Sequence, residues 1–495
     1  MKAATSSFNF GSSAIISSKI PAIPFLVPAV IEKLQGSPRY GDITAVLPGE
    51  ADLYCARYVK EHGGIVFTGD SDLLVHDLGD MGSVAFFKDL ELPDSANTTK
   101  SLRCHQYRIA VIVERLGLKP SHGLQALAFE MFMDPHGSLP KLLQKARDLK
   151  AVLEYPGMYQ DFSKEYDPLP REVHTSEGPE ITPQKSLQAI LRTLDPRISE
   201  YVLQFPTAAA AAERPFRTSL QSVEKLDSVD VFLPFLLDCP SKTSAWEMST
   251  AVRQLAYGLM NLVEAKENQI ASVIEHRRQQ NGSRGRTWQL PTYDEIQEAC
   301  TALTGLVDNI DRSLLSLPDF DIWRAMAFHQ DLAYACSSGK QSLGQSIIKA
   351  GGPQKRLSWE IIHFSAQVQA SYYSFRMLKQ IMKVVLACKD KDNDVDALSS
   401  TLSNLDKKLK SLPPLAAMPT FYNDLQLLGG SVNLEAFVAV CKLFEGDNKD
   451  ASAEENTSKP PKKAKKKKRK REQATSISLD MSKRPNNMFD ILDSI

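Results

Sequence analysis

Apolar residues recur at three- and four-residue steps over much of the second half of the chain. The longest such pattern follows Ser358, which is placed to cap a helix running to about Cys388. Its apolar stripe consists of Ile362, Ala366, Ala370, Tyr373, Met377, Ile381 and Val384. Shorter patterns of the same kind occur near 246–276, 294–316 and 319–336. The spacing predicts helices that pack on each other, and nothing in it requires a cofactor.

A strand–helix–strand pattern occupies the first part of the chain. Thr44–Leu47 is a short apolar run, residues 53–62 have helical spacing, and Ile65–Thr68 has the length of a buried strand. Gly63 and Gly64 are expected to end the helix, as glycines after a helix do. This order predicts a parallel pair of strands joined by a right-handed crossover.

Breaker residues and charge divide the chain into zones. Residues 20–150 are expected to form the α/β part, and the Pro- and Gly-rich stretch 151–215 a linker with one short helix near 184–194. Residues 216–445 are expected to form a helical domain, and 446–495 a disordered basic tail. The predicted fold class is therefore α/β with a partial parallel sheet, followed by a mostly α-helical C-terminal region and the tail.

Composition limits the function classes. Apolar residues make up 43% of the 495 positions and charged residues 24%, which is typical of a globular protein. The seven cysteines include no CxxC pair, so a zinc site or a disulfide framework is not expected. The apolar stretch Ile20–Ile31 is interrupted by prolines and is shorter than the roughly 20 residues of a membrane span, so no membrane partner is predicted.

Charge is distributed unevenly although the net charge is +0. Ten Lys/Arg residues and no acid lie between Lys459 and Arg471, so the rest of the chain carries 59 − 10 = 49 basic against 59 acidic residues. Such a run is expected to be extended and to serve nuclear import through an import receptor, which predicts a nuclear location. Non-specific nucleic-acid contact and simple solvation are the alternatives. The predicted localisation residues are Lys462, Lys463, Lys465, Lys466, Lys467, Lys468, Arg469, Lys470 and Arg471.

Two acidic pairs follow the two predicted strands. Glu50 and Asp52 begin the helix after the first strand, and Asp70 and Asp72 follow the second. Ligand crevices of open α/β sheets lie beyond the carboxyl ends of the strands, so the four carboxylates are expected to meet at one rim. Like charges so placed require cations, and Mg²⁺ or Mn²⁺ prefers such oxygen ligands. One or two such ions would activate water for phosphodiester hydrolysis.

Each acidic pair also has a local explanation. Acids in a first helical turn interact favourably with the helix dipole, which accounts for Glu50 and Asp52 taken alone. Asp70-Ser71-Asp72 after a strand is also an ordinary turn or helix cap. The ordered combination of the two pairs favours the shared site.

Two strings resemble the internal region of the flap-endonuclease/XPG nucleases. They are Leu47-Pro-Gly-Glu-Ala-Asp52 and Phe67-Thr-Gly-Asp-Ser-Asp-Leu-Leu-Val75, and they are most similar to the Asteroid branch of that family. Pro24–Ile31 resembles the helix that precedes the first string there. The resemblance implies a PIN-like core, divalent metals and cleavage of branched or single-stranded nucleic acid, with DNA expected rather than RNA. It places the metal ligands at Glu50, Asp52, Asp70 and Asp72.

The chain also departs from that family. The family supplies further acids from strands before the first string, whereas here the only acids before Glu50 are Glu32 and Asp42. Its later Gly-x-Asp motif is missing, and Glu130 and Asp134 are the candidates to replace it. Its helix-hairpin-helix, which grips duplex DNA, is not visible in the sequence. The resemblance therefore supports the fold more strongly than the activity.

A basic segment in the helical region is the candidate phosphate contact. Arg277, Arg278, Arg284 and Arg286 flank Gly282-Ser283, and such a loop is suited to nucleic acid, although a solvated loop between helices explains it as well. Three hypotheses follow: a metal-dependent endonuclease, a non-catalytic nuclease-derived module that binds nucleic acid or proteins, and an enzyme whose gene model lacks its 5′ portion.

Overall fold

The computed structural model describes residues 24–48, 51–91, 102–164, 166, 183–212, 227–277, 285–317, 321–349, 358–388, 394–417 and 435–445. The chain divides into two compact units. The first unit, as described, comprises residues 51–166, and the second comprises 24–48 and 183–445. The predicted basic tail lies outside the described residues.

The described helices are numbered along the chain. They are α1 (Leu26–Gln35), α2 (Ala51–His62), α3 (Ile109–Leu116), α4 (Gly123–Met133), α5 (Leu139–Arg147), α6 (Lys150–Glu154), α7 (Pro156–Lys164), α8 (Pro183–Leu191), α9 (Pro196–Val202), α10 (Pro206–Ala211), α11 (Thr250–Asn261), α12 (Tyr293–Ser313), α13 (Ile322–Ser338), α14 (Leu343–Lys349), α15 (Trp359–Ala387), α16 (Asp394–Leu409) and α17 (435–445). The described strands are β1 (Gly64–Thr68), β2 (Gly82–Phe86), β3 (Ser228–Phe232), β4 (Ser272–His276) and β5 (Arg286–Gln289).

The first unit contains a two-stranded parallel sheet. Helix α2 ends at Gly63, whose φ of 72° is the left-handed conformation that glycine adopts most easily, and β1 follows directly. Strand β1 pairs in parallel with β2, from Gly64 opposite Gly82 to Thr68 opposite Phe86. A side chain at Gly82 would meet the backbone oxygen of Leu78, so this close approach requires glycine. The parallel sheet predicted for the N-terminal part is thus present.

The partner of β1 differs from the prediction. Thr44–Leu47 is not a strand, and it belongs to the second unit. The true partner, β2, comes after β1 in the chain and is fully buried along its length. The apolar run 44–47 was a misleading signal because a short apolar stretch is equally compatible with a loop that covers a core.

The rest of the first unit is helical. Helices α3 to α7 pack around Leu127 and Phe129, both of which are completely buried. Phe162 from α7 and Tyr159 lie against Phe129, with ring centroids 5.3 and 5.2 Å away. The segment 151–215, predicted to link with one short helix, thus contributes α6 and α7 to this core. It also contains α8, as predicted, and α9 and α10 in the second unit.

Helix α15 runs through the core of the second unit. Its N-cap is Ser358, whose hydroxyl accepts a hydrogen bond from the Ile361 amide, and its C-cap is Cys388, as the sequence predicted. Of the predicted stripe, only Ile362 is not fully buried. Helices α11, α13 and α16 pack directly against α15. The C-terminal part is therefore helical, as expected, with α15 in its core.

A three-stranded sheet also belongs to this predominantly helical unit. Strand β3 is parallel to β4, and β5 is antiparallel to β4. The pattern 246–276 was predicted to be helical throughout. Its only α-helix is α11, and the last residues of the pattern form β4. Strand β4 reads Ser-Val-Ile-Glu-His, and its alternation is too short to distinguish from a helical pattern by sequence alone.

Helix α1 packs within the second unit. The Phe25 ring stacks on Tyr373 of α15 with centroids 5.0 Å apart, and Glu32 forms an ion pair with Arg376. The Glu32 carboxylate also accepts the Leu415 amide at 2.8 Å. None of the helices that the structure describes has the length and apolar composition of a membrane-spanning segment.

Candidate functional site

Asp70 and Asp72 lie in a short turn at the carboxyl end of β1. The Asp70 amide donates to Thr68 Oγ1 at 2.9 Å, and the Asp72 amide donates to Asp70 Oδ1 at 3.2 Å. A single-turn 3-10 helix, Asp72–Leu74, follows and buries Leu73 and Leu74 in the core. Because these buried leucines anchor the turn in the core, the two aspartates are held on its exposed side.

Asp52 lies in the first turn of α2 and is half-buried. Helix α2 packs against β1, β2 and the 3-10 turn that begins at Asp72. Burial raises the pKa of the Cys55 thiol, and the negative charge of Asp52, one turn earlier, raises that pKa further. Asp52 therefore sits on an element that contacts the Asp70–Asp72 turn. Glu50, the fourth predicted acid, lies outside the described residues.

The carboxylates of Asp52, Asp70 and Asp72 suit a hard cation, but they do not form a complete coordination site. Within the part of the chain that the structure describes, no three His, Cys, Asp or Glu side chains are grouped to hold a metal ion. Mg²⁺ commonly binds through one or two carboxylates, with water and substrate phosphates completing its shell. The exposed Asp70–Asp72 pair can supply these one or two carboxylates.

Glu130 and Asp134, the candidate substitutes for a later acidic motif, have local structural partners. Glu130 is 3% exposed, and its carboxylate accepts the Ala151 amide at 2.7 Å, at the start of α6. Asp134 follows α4 and forms an ion pair with Lys145 at 3.2 Å. These contacts account for both acids without a metal.

The predicted basic loop is only partly described. Arg277 is 7% exposed and forms ion pairs with Glu247 at 2.7 Å and Glu275 at 2.6 Å. Arg286 is more exposed, pairs with Glu247 and lies over the Trp288 ring, 4.3 Å from its centroid. Arg278 and Arg284 lie outside the described residues. A phosphate contact from Arg277 would therefore have to displace two carboxylates, of which Glu275 is buried.

A buried charge network was not anticipated from the sequence. Arg253 and Glu275 are both fully buried and pair at 2.8 Å. Glu275 also accepts hydrogen bonds from Tyr257 Oη at 2.9 Å and Trp288 Nε1 at 3.1 Å. The surrounding cations lower the pKa of Glu275 to about 2 although burial opposes that shift. Arg253 and Glu275 are 22 positions apart, so no local pattern in the sequence identifies them.

Three cations on α15 also escaped the sequence analysis. Arg376, Lys379 and Lys383 line a cavity in the second unit. Their spacing of three and four residues places them on one side of the helix, and this spacing was the signal that could have found them.

Comparison with curated proteins and with solved structures found no significant match. Comparison with protein families gave a match to the family described as XPG domain containing, over residues 22–290. The match includes the α2–β1 region with its acidic turn, and it continues into the second unit as far as the end of β5. Because it covers more than half of the 495 residues, the chain belongs to the XPG domain-containing family of nuclease-like proteins.

Proposed function

We propose that this chain is a divalent-metal-dependent endonuclease of the Asteroid type, with Glu50, Asp52, Asp70 and Asp72 as its metal ligands. The observation that carries the proposal is the turn after β1, where two aspartates are held exposed at the carboxyl end of a parallel strand. Crevices at that end of α/β sheets are the usual places for ligands. The family match independently supports a nuclease-like protein.

The protein's own contribution is to hold negative charge at a fixed place. The hydrogen bond from the Asp72 amide to Asp70 Oδ1 restricts the first carboxylate, and buried Leu73 and Leu74 restrict the second through the backbone. Mg²⁺ or Mn²⁺ bound there would supply an activated water and stabilise the leaving oxygen of a phosphodiester. The carboxylates would orient the ion, and a substrate phosphate would complete its coordination.

The substrate and the location complete the proposal. We expect DNA rather than RNA, bound as branched or single-stranded substrate. The exposed Arg286 is the described member of the basic loop best placed to approach phosphates, because Arg277 is 7% exposed and pairs with two acids. The lysine-rich tail would carry the protein into the nucleus through an import receptor. A fluorescent fusion that lacks residues 459–471 should then lose nuclear accumulation.

The decisive experiment compares the chain with Asp70→Asn/Asp72→Asn. We expect Mg²⁺- or Mn²⁺-dependent cleavage of flap and single-stranded DNA by the unmodified chain. The double variant should lose at least about a hundredfold in rate, since replacing even residues that only support metal ligands commonly costs 10–100-fold. Calorimetric titration with Mn²⁺ gives a second readout that does not depend on cleavage.

A matched control keeps this comparison specific. Asp80 and Glu91 are exposed acids of the same unit outside the turn, so Asp80→Asn/Glu91→Gln removes the same charge without touching the candidate site. The control should cleave and bind Mn²⁺ as the unmodified chain does. Equal residual cleavage by all three proteins would assign the activity to a contaminant and overturn the proposal.

The second candidate is a nuclease-derived module that binds nucleic acid without cutting it. It is favoured by the structural partners of Glu130 and Asp134, the candidates for a later acidic motif, which pair with the Ala151 amide and with Lys145. A non-catalytic module would retain single-stranded DNA binding in the Asp70→Asn/Asp72→Asn variant. It would also show no metal-dependent cleavage in the unmodified chain, whereas the enzyme hypothesis requires that cleavage.

A further inference from the structure

A cavity of about 300 Å³ lies within the second unit. Its walls come from α1, from α15, from the turn that leads into α9 and from residues 412–414. Ligand pockets in proteins begin at about this volume, which is enough for a small metabolite or the end of a larger chain. All of its lining residues belong to the second unit, so the cavity is separate from the acidic turn.

The cavity is lined by more positive than negative charge. Arg376, Lys379 and Lys383 face two acids, Glu32 and Asp195, which leaves a formal balance of +3 − 2 = +1. Arg376 pairs with Glu32, whereas neither lysine forms an ion pair with any residue that the structure describes. Burial lowers the pKa of Lys379, and the neighbouring positive charges lower it further. An anion would relieve this repulsion.

Asp195 lines the same cavity, but it is engaged with protein groups. Asp195 is 2% exposed, and its Oδ1 accepts the Arg197 amide at 3.1 Å and the Tyr373 hydroxyl at 2.8 Å. Its Oδ2 is buried and forms an ion pair with Arg376, 3.5 Å from Nε. Because Glu32 and Asp195 both pair with Arg376, Lys379 and Lys383 are the cations left to bind a ligand.

We propose that this cavity binds a phosphate monoester, with the phosphate between Lys379 and Lys383 and the organic group in the rest of the cavity. The two lysines supply point charges suited to phosphate oxygens. Both a free sugar phosphate and the 5′-phosphorylated end of a nucleic acid carry this chemistry. The inference does not depend on the nuclease proposal.

Binding is tested on the full chain with ribose 5-phosphate and with a 5′-phosphorylated dinucleotide, by calorimetry and by thermal shift. We expect both the affinity and the shift in melting temperature to fall when the lysines are replaced in Lys379→Met/Lys383→Met. Each lysine should be worth about tenfold in affinity, a difference of about 1.4 kcal/mol. The matched control is Lys266→Met/Lys442→Met, which removes two exposed lysines outside the cavity and should bind normally.

The two probes distinguish the sources of the ligand. Tighter binding of the dinucleotide identifies a nucleic-acid end, and tighter binding of ribose 5-phosphate identifies a free metabolite. Failure of both probes at millimolar concentration, or equal binding by the Lys379→Met/Lys383→Met variant, overturns the proposal. Since these readouts involve no cleavage, they are unaffected if the nuclease proposal fails.

Discussion

In the second unit a buried ion pair lies in the core, whereas in the first unit acids and an apolar strand edge face outwards. Arg253 and Glu275 are both fully buried, and hydrogen bonds satisfy each of them. In the first unit, β1 has β2 on one side and no strand on the other within the described residues. Its Ile65 and Phe67 remain 43% and 44% exposed. The second unit thus encloses this ion pair, whereas the first unit leaves its acidic turn and the β1 edge accessible.

This difference separates stability from function. A buried ion pair with complete hydrogen bonding specifies a single packing arrangement, but it offers nothing to a substrate. Exposed acids beside an exposed strand contribute little to stability, yet they are accessible. We therefore expect substitutions in the second unit to change unfolding most, and substitutions around β1 to change binding or association most.

Loss of the Glu275 charge should have the largest effect on stability. Glu275→Gln preserves the side-chain volume but leaves the guanidinium of Arg253 buried without its counter-ion. Removing one partner of a buried pair typically costs about 3–5 kcal/mol. Urea unfolding followed by circular dichroism measures the change. Glu298→Gln, at an exposed position of α12, is the matched control and should cost no more than about 0.5 kcal/mol.

The Glu275 carboxylate also determines how low pH affects the stability of the second unit. Its pKa in the folded state is about 2, below the ordinary value of 4.5, so the folded state binds this proton less readily than the unfolded state. The stabilisation is therefore complete above about pH 5 and is lost as pH falls towards 2, with a total of about 3 kcal/mol. The stability gap between the unmodified chain and Glu275→Gln should narrow from pH 6 to pH 3. A constant gap would contradict the prediction.

The sequence predicted the elements whose signals are local. Ser358 and the stripe that follows it define α15, because a cap and a helical period both lie within the helix itself. Gly63 marked the end of α2, and the apolar run after it marked β1. These features depend on neighbouring residues, so a single sequence contains them.

Features that depend on distant partners were missed or misplaced. The partner of β1 was expected at 44–47 but is β2, because strand pairing is decided by tertiary contacts that a single sequence does not record. Asp195 and Gln380 meet across 185 positions, and no spacing rule connects them. For the candidate site, the Asp70–Asp72 turn was located correctly after a strand, whereas the grouping of all four acids stays a prediction.

Replacement of Glu130 should have an intermediate effect on stability. It also separates a structural acid of the first unit from the candidate metal ligands. Its carboxylate holds the Ala151 amide next to Leu149, whose φ of 55° is unusual for a residue with a side chain. Glu130→Ala leaves that buried amide without its acceptor and should cost about 1–3 kcal/mol. Mn²⁺ titration should be unchanged, because Glu130 is engaged structurally. Glu114→Ala, on the exposed side of α3, is the control, and a loss of Mn²⁺ binding in Glu130→Ala alone would instead make Glu130 a ligand.

Phe67→Lys is expected to change stability least, and it tests the unpaired edge of β1 most directly. An unpaired strand edge with exposed apolar side chains is a template for pairing with another chain, and a lysine there opposes such pairing. We expect the free energy of unfolding to change by no more than about 0.5 kcal/mol. Self-association, measured by sedimentation velocity over a concentration series, should fall.

Leu153→Lys provides the matched control, since Leu153 is a more exposed apolar residue of the first unit and lies on α6 rather than on a strand. If both variants reduce association equally, general surface hydrophobicity is the cause and the β1 edge has no special role. If only Phe67→Lys reduces it, the edge of β1 is the surface at which chains meet. An unmodified chain that stays monomeric at every concentration would show that this edge does not drive association, although its apolar side chains are exposed.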